Sequence, residues 1–144
     1  MMQTLETIKK LAKFYAEHIQ EKAPEMTGSE LYAEETFVPN FDATRQYLNF
    51  SIGYVCKSAE GRLVKLIQPY DSTIYTEQPE ALPAQWGFYW STDPSKALPF
   101  ISVATSPYNT GDCCVHNEKV YRSLIDNNTW SPSDYAQGWE EVTN

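Results

Sequence analysis

Residues 108–125 read YNTGDCCVHNEKVYRSLI, and this stretch predicts a β-hairpin. Two runs that contain β-branched and aromatic residues, 108–115 and 119–124, flank the polar segment 116–118. Valine, isoleucine and tyrosine favour strands, and a polar segment containing Asn between two such runs is typical of a tight turn. The stretch therefore predicts that an antiparallel sheet forms the C-terminal part of the chain.

Glycine and tryptophan mark the two ends of this sheet. Gly111 permits a tight entry into the first strand, and the Asp112 carboxylate can accept backbone N–H groups there. After the hairpin a polar loop, 126–137, ends at Trp139. Because so small a sheet has little core, we expect Trp139 and Tyr121 to pack on each other and to form much of it.

Residues 47–67 predict a second hairpin, with its turn at 59–61. When Gly53 is aligned with Gly111, the first strands of the two hairpins coincide, and the loop after each hairpin ends in a tryptophan, Trp86 or Trp139. The first half is either a diverged copy of the second or similar by chance, since the matching segments are short. Further strands are predicted over 86–90 and 100–104.

The first 22 residues predict an amphipathic helix, because apolar residues recur every three or four positions. Thr4 is the expected N-cap, and Pro24 is expected to end the helix just after Lys22. The helix either packs on its own domain or pairs with the same helix of another subunit. The apolar stripe consists of Leu5, Ile8, Leu11, Ala12, Tyr15 and Ile19.

These patterns predict an α+β fold. An N-terminal helical segment and linker, 1–41, contains a second short helix near 29–33 and an extended stretch near 37–41. Two three-stranded antiparallel modules follow, at 42–104 and 105–144.

Composition disfavours several functions. The formal net charge is −8 and the pI is about 4.7, so we expect neither nucleic-acid binding nor attraction to an anionic membrane. No apolar run approaches the roughly 18–20 residues that span a bilayer, so no membrane insertion is expected. Acidic residues interrupt the N-terminal stripe, which predicts no signal peptide and synthesis in the cytoplasm.

The sequence does not indicate an enzyme, a metal site or a cofactor. The chain has two His, and neither a Gly-rich phosphate loop nor a nucleophile motif is evident. Its three Cys are an odd number, which favours free buried thiols over a disulfide framework. Cys114 and His116 share a strand face, but no further ligand completes a zinc site.

The order of motif residues in the C-terminal part resembles the chitin-binding modules of carbohydrate-binding families 5 and 12. The matching residues are Tyr108, Gly111, Asp112, Tyr121 and Trp139, spread over about 35 residues. The resemblance implies a compact three-stranded antiparallel sheet that binds polysaccharide by aromatic stacking.

Two departures from the family pattern concern the turn and the binding face. Glu118 stands in the turn where the family usually has Gly, and 123–125 read Ser-Leu-Ile where the family places its sugar-stacking aromatics. The family's binding face is therefore not transferred to this chain.

Trp130 is the nearest substitute for those aromatics. Its ring is either exposed for stacking on a sugar or folded back to anchor the loop. The polar rim expected around it comprises Asn127, Asn128, Asp134 and Tyr135. In the first module a similar surface, for sugar or for protein contact, could be formed by Tyr70, Tyr75, Tyr89 and Trp90.

Residues 121–132 also resemble the form of this module found in bacteriophage tail and other virion proteins. The resemblance implies a non-catalytic virion protein that acts in assembly or touches a host surface glycan, with homo-oligomers or other virion proteins as partners. One alternative is a chitin-like polysaccharide-binding accessory protein of a glycoside hydrolase system. Another is a pure assembly protein in which sugar binding is lost.

Overall fold

The computed structural model describes residues 2–143 and has the predicted α+β fold. Helix α1 (Met2–Lys22) and the short helix α2 (Gly28–Ala33) precede two small β-sheets. The strands are β1 (Val55–Lys57), β2 (Leu63–Leu66), β3 (Trp86–Phe88), β4 (Leu98–Pro99), β5 (Cys113–His116), β6 (Lys119–Ser123) and β7 (Trp139–Glu141).

The first sheet has the predicted form and the second does not. The first is antiparallel in the order β1-β2-β3, whereas the second has the order β4-β5-β6-β7, with β4 parallel to β5. The prediction of a three-stranded second sheet is therefore wrong, as is the strand predicted over 100–104. Pro99 cannot donate to a ladder, which suits β4 to the sheet edge. Phe100 continues the pairing by donating its N–H to Val115 O at 2.9 Å.

Helix α1 begins earlier than predicted and ends where predicted. It starts at Met2, so Thr4 lies inside the helix and is not its N-cap; it ends at Lys22, and Pro24 follows in a 3-10 turn. Helix α2 starts with a capping box between Thr27 and Glu30. The capping box fixes where α2 begins, shortly after α1 ends at Lys22.

Two predicted strands are shorter because residues distant in the sequence bond to the backbone groups at their starts. The segment 47–49 is a 3-10 turn in which Tyr47 N–H donates to Ser72 Oγ at 3.1 Å. Likewise Tyr108 N–H donates to Asn128 O at 2.9 Å, and the strand begins only at Cys113. Each long run thus consists of an irregular entry followed by a short strand.

A buried aromatic cluster joins the two sheets. Trp90 stacks on Tyr108 with ring centroids 4.1 Å apart, and Arg62 Nη2 donates to Pro99 O at 2.6 Å. Contacts also cross both predicted boundaries, at 41/42 and 104/105, because Phe41 N–H donates to Lys57 O and β4 pairs with β5. The cluster consists of Tyr47, Cys56, Val64, Leu66, Tyr70, Trp86, Phe88, Trp90, Val103, Tyr108, Cys114 and Trp139.

Candidate functional site

Each sheet packs against the same arrangement of three aromatic rings. In each, the Trp ring meets the Tyr ring edge-on, at 5.1 Å in the first and 5.3 Å in the second, and the Phe ring stacks on the Tyr ring at 5.3 and 5.4 Å. We call them the first triad (Phe41, Tyr47 and Trp86) and the second triad (Phe100, Tyr108 and Trp139). Both triads belong to the core.

Two glycines enter the two sheets in the same way. Gly53 and Gly111 have φ of +97° and +98°, and their N–H groups donate to Leu66 O at 2.7 Å and to Ser123 O at 2.8 Å. After Gly111, Asp112 Oδ2 accepts the N–H of Asn109 at 2.8 Å. Burial raises the pKa of Asp112. These residues hold the entries to the two sheets.

Tyr121 and Trp139 have different ring partners from those predicted. Tyr121 contacts the ring of His116, with centroids 6.5 Å apart, whereas Trp139 contacts the other two members of the second triad. In the ladder Trp139 lies opposite Ser123, and Tyr121 lies opposite Glu141. The two rings are therefore offset along the strands.

The aromatic surface predicted in the first half is wrong for two of its residues. Tyr70 and Trp90 are only 6% and 9% exposed. The Tyr70 hydroxyl accepts the Trp86 indole N–H at 2.9 Å, and Trp90 Nε1 donates to Ser106 O at 2.9 Å. Both rings therefore complete the core, because their polar ends find partners inside it. Tyr75 is exposed, at 54%.

Trp130 and Tyr135 form an exposed pair of rings, here called the aromatic platform. Trp130 is 51% exposed and Tyr135 38%, and their ring centroids lie 5.6 Å apart at an interplanar angle of 60°. The backbone of Trp130 is fixed on both sides: its N–H donates to Asn128 Oδ1 at 3.2 Å, and its carbonyl accepts the Trp139 indole N–H at 2.8 Å. The loop is thus anchored through the backbone while the Trp130 ring remains half exposed.

Asn128 is that anchor, and its predicted place in the polar rim is wrong. It is fully buried, and Nδ2 donates to Ser123 Oγ at 3.0 Å and to Gly138 O at 3.2 Å. A buried amide costs free energy unless its donors and acceptors are bonded, and here the Ser123 hydroxyl and the backbone groups of Gly138 and Trp130 supply the partners. The buried Asn128 side chain therefore holds the backbone of the platform loop in place.

Asn127 and Asp134 are exposed on the platform loop, where polar rim residues were predicted. Asn127 adopts a left-handed backbone conformation with φ of 56°, and its N–H donates to Asn109 Oδ1 at 3.0 Å. The Asp134 and Tyr135 N–H groups both donate to Ser131 O, in one tight turn. In this turn Asp134 directly precedes Tyr135.

A bond that the sequence did not reveal ties this loop to the β5–β6 turn. Ser133 Oγ lies 2.7 Å from His116 Nε2 and 3.4 Å from Asn117 Nδ2. These residues are separated by 16 or 17 positions, and no local pattern in the sequence pairs them. The bond adds hydroxyl, imidazole and amide groups to the same loop.

The three cysteines Cys56, Cys113 and Cys114 are buried free thiols. Burial raises the pKa of the Cys56 and Cys114 thiols to about 12, so both stay protonated at neutral pH. Across residues 2–143 there is no group of three or more His, Cys, Asp or Glu side chains placed to hold a metal ion. Over the same residues, neither helix has the length and apolar character to cross a bilayer.

Comparison with protein-family models and with curated protein sequences finds no match to this chain. The candidate site is therefore defined by its geometry. Two exposed rings sit on a loop with bonded backbone; the same loop carries the exposed Asn127 and Asp134 side chains, and its Ser133 contacts His116. Such a site suits a ligand that has one apolar face and hydroxyl groups at its edge.

Proposed function

We propose that this chain is a non-catalytic carbohydrate-binding protein whose aromatic platform stacks on a sugar ring. The observation that supports this most directly is the half-exposed Trp130 ring on a backbone bonded at both its N–H and its carbonyl. The C–H face of a sugar is apolar and is attracted to the negative face of an aromatic ring. Because the loop is already ordered, binding loses little conformational entropy.

The polar groups near the platform indicate the class of sugar. Asn127 and Asp134 are exposed on the same loop and can bond to sugar hydroxyls, as can the Ser133 and His116 pair. The net charge of −8 repels anionic glycans at a distance. We therefore expect a neutral polysaccharide or surface glycan, with chitin-like chains as the first to test.

We further propose that the protein acts in a bacteriophage-type tail or virion, where the platform touches a glycan of the host surface. Support comes from the resemblance of 121–132, with the closing Trp139, to virion modules and from the order of an N-terminal helix followed by two small sheets. A polysaccharide-binding accessory protein would use the same platform.

One observation favours a second candidate, an assembly protein without sugar binding. In the chitin-binding modules the stacking aromatics follow the second strand of the hairpin, and here Leu124 occupies that place with 48% of its surface exposed. An aliphatic side chain there suits a protein contact rather than a sugar face. In this case the platform is part of a subunit interface.

A glycan array that includes chitin oligosaccharides and bacterial surface polysaccharides separates the two. We expect wild type to bind a neutral glycan and Trp130→Ala to lose at least tenfold in affinity, since the stacking surface is removed. Tyr75→Ala is the matched control, because Tyr75 is equally exposed, at 54%, but lies away from the platform in sequence and sheet.

Near-ultraviolet circular dichroism and urea unfolding establish that each variant is folded. If wild type binds no glycan, or if Trp130→Ala binds as tightly as wild type, the platform is not a sugar site. Loss of binding in Tyr75→Ala instead of Trp130→Ala moves the site to the first half of the chain.

A further inference from the structure

The N-terminal part of α1 presents an apolar face that the rest of the chain does not cover. All side chains from Thr4 to Tyr15 are exposed, whereas Ile19 and Ala23, further along the same side, are buried. The apolar stripe that docks the end of α1 thus continues beyond the folded body. The large exposed side chains on this face have 44% to 59% of their surface in solvent, and they are the stripe residues Leu5, Ile8, Leu11 and Tyr15 together with Phe14 at the edge of the stripe.

The exposed part of α1, before Tyr15, is so short that it is only marginally stable when nothing packs against it. Isolated helices shorter than roughly 12–15 residues are only partly formed in water, and in proteins most helical stability comes from packing an amphipathic face. Near the body, the Tyr15 ring meets Phe37 at 5.0 Å and Gln20 bonds to the backbone of Val55. The part of α1 before Tyr15 needs packing from outside the chain.

The spacing of the apolar stripe suits packing against a second helix with the same stripe. Leu5, Ile8, Ala12 and Tyr15 follow one another at intervals of three, four and three residues, which is the a/d pattern of a coiled coil. Ile19 extends the pattern to the point where the helix meets its own body.

The charges on α1 leave this seam free. At 3.6 residues per turn, Glu6, Lys10 and Lys13 project from the side opposite the stripe, and Lys9 lies at its edge, four residues after Leu5. Two copies can therefore meet along their apolar faces with all four charged groups of each copy in water.

The area agrees with a weak, specific contact. A half-exposed large apolar side chain presents on the order of 100 Å², so the five residues present about 500 Å² per copy. A pair of helices then removes at most about 1,000 Å² from water, which is the lower limit for a specific interface and suits a weak contact.

We propose that α1 binds α1 of a second copy of this chain through Leu5, Ile8, Leu11, Phe14 and Tyr15. The contact joins two folded bodies through their N-terminal helices and places two aromatic platforms in one particle. This inference does not depend on sugar binding. If both hold, the dimer binds a repetitive glycan more tightly than one chain does, through effective concentration.

Sedimentation equilibrium of the full chain tests the proposal directly. As the concentration rises from about 1 to 500 μM, wild type should pass from 16.5 kDa to at least twice that mass, because the association of two copies depends on concentration by mass action. The triple variant Leu5→Gln, Ile8→Gln and Leu11→Gln should stay monomeric throughout, because it removes apolar surface while Gln keeps a high helix propensity.

The matched control places three Gln substitutions outside the stripe, as Lys9→Gln, Lys10→Gln and Lys13→Gln. It should associate like wild type. The urea midpoint of the body at low concentration should be unchanged in both variants, because all six positions are exposed.

Several results would overturn the proposal. A wild type that stays monomeric at 500 μM has no such contact, and a triple Gln variant that still associates uses another surface. Binding of monomeric wild type to vesicles of phosphatidylcholine, lost in the triple Gln variant, would instead assign the stripe to a lipid surface.

Discussion

The first and second triads have the same ring geometry, but the indole N–H of their tryptophans donates to different kinds of acceptor. Trp86 donates its indole N–H to the side chain of Tyr70, whereas Trp139 donates to the backbone carbonyl of Trp130. Tyr70 must be buried, since its hydroxyl is the acceptor. Trp130 provides an acceptor without burying its ring, so its side chain remains available at the surface.

The buried polar anchors of the two halves differ in the same sense. Ser72 accepts the N–H of Tyr47 and donates to Ala43 O, which fixes the entry to the first sheet. Asn128 has more bonding capacity, and besides bonding Ser123 and Gly138 it accepts the N–H of Trp130. The two halves share the same arrangement of a sheet and an aromatic triad, but the first half holds Tyr70 in the core and the second holds the Trp130 ring at the surface.

The largest expected effect comes from removing the triad tryptophans. Trp86→Ala and Trp139→Ala should each lower the free energy of unfolding by about 3–5 kcal/mol, because each leaves a cavity in a buried cluster. Trp130→Ala should cost less than about 1 kcal/mol, since its ring is half exposed and its backbone bonds remain. Urea unfolding of the three variants measures the difference.

The loss of unfolding free energy in Trp130→Ala decides whether the Trp130 ring, unlike the rings of the first half, is dispensable for the fold. A cost near that of Trp139→Ala would mean that the ring holds the loop in place, and the aromatic platform would then be an anchor. If the near-ultraviolet circular dichroism bands of the remaining rings are the same in Trp130→Ala and in wild type, the Trp130 ring does not hold the loop in place.

A smaller effect tests the two indole acceptors. Tyr70→Phe removes the acceptor of the Trp86 N–H and leaves a buried donor unpaired, at a cost of about 1–3 kcal/mol. Trp130→Phe keeps the backbone carbonyl that accepts from Trp139, so its cost should stay within about 0.5 kcal/mol. A Tyr70→Phe variant as stable as wild type would contradict the assigned role of the hydroxyl.

The local patterns in the sequence predicted much of this frame. The apolar stripe with Pro24 located the end of α1, and the hairpin around 116–118 follows from strand-forming runs beside a polar turn. Both signals depend on neighbours within a few residues.

The features that the sequence did not reveal depend on distant partners. Tyr70 and Trp90 have the composition of a contact surface, and only the three-dimensional fold supplies Trp86 and Ser106 as partners for their polar ends. Asn128 has the sequence context of a loop residue, and its burial follows from bonds to Ser123 and Gly138. For the same reason β4 could not be predicted, since a parallel edge strand of two residues has no period of its own.

The smallest expected effects compare the two hairpin turns. Gly61 has φ of +89° with open space where a Cβ would project, so Gly61→Ala should cost about 1–2 kcal/mol from backbone strain alone. In the second hairpin Glu118 occupies the left-handed region with φ of 65°, although it is neither Gly nor Asn. Glu118→Gly should therefore stabilise the protein by about 0.5 kcal/mol, because relief of strain exceeds the added entropy of the unfolded chain. Urea midpoints at constant slope measure both, and a destabilised Glu118→Gly variant would mean that the Glu118 side chain forms a stabilising contact in the second hairpin.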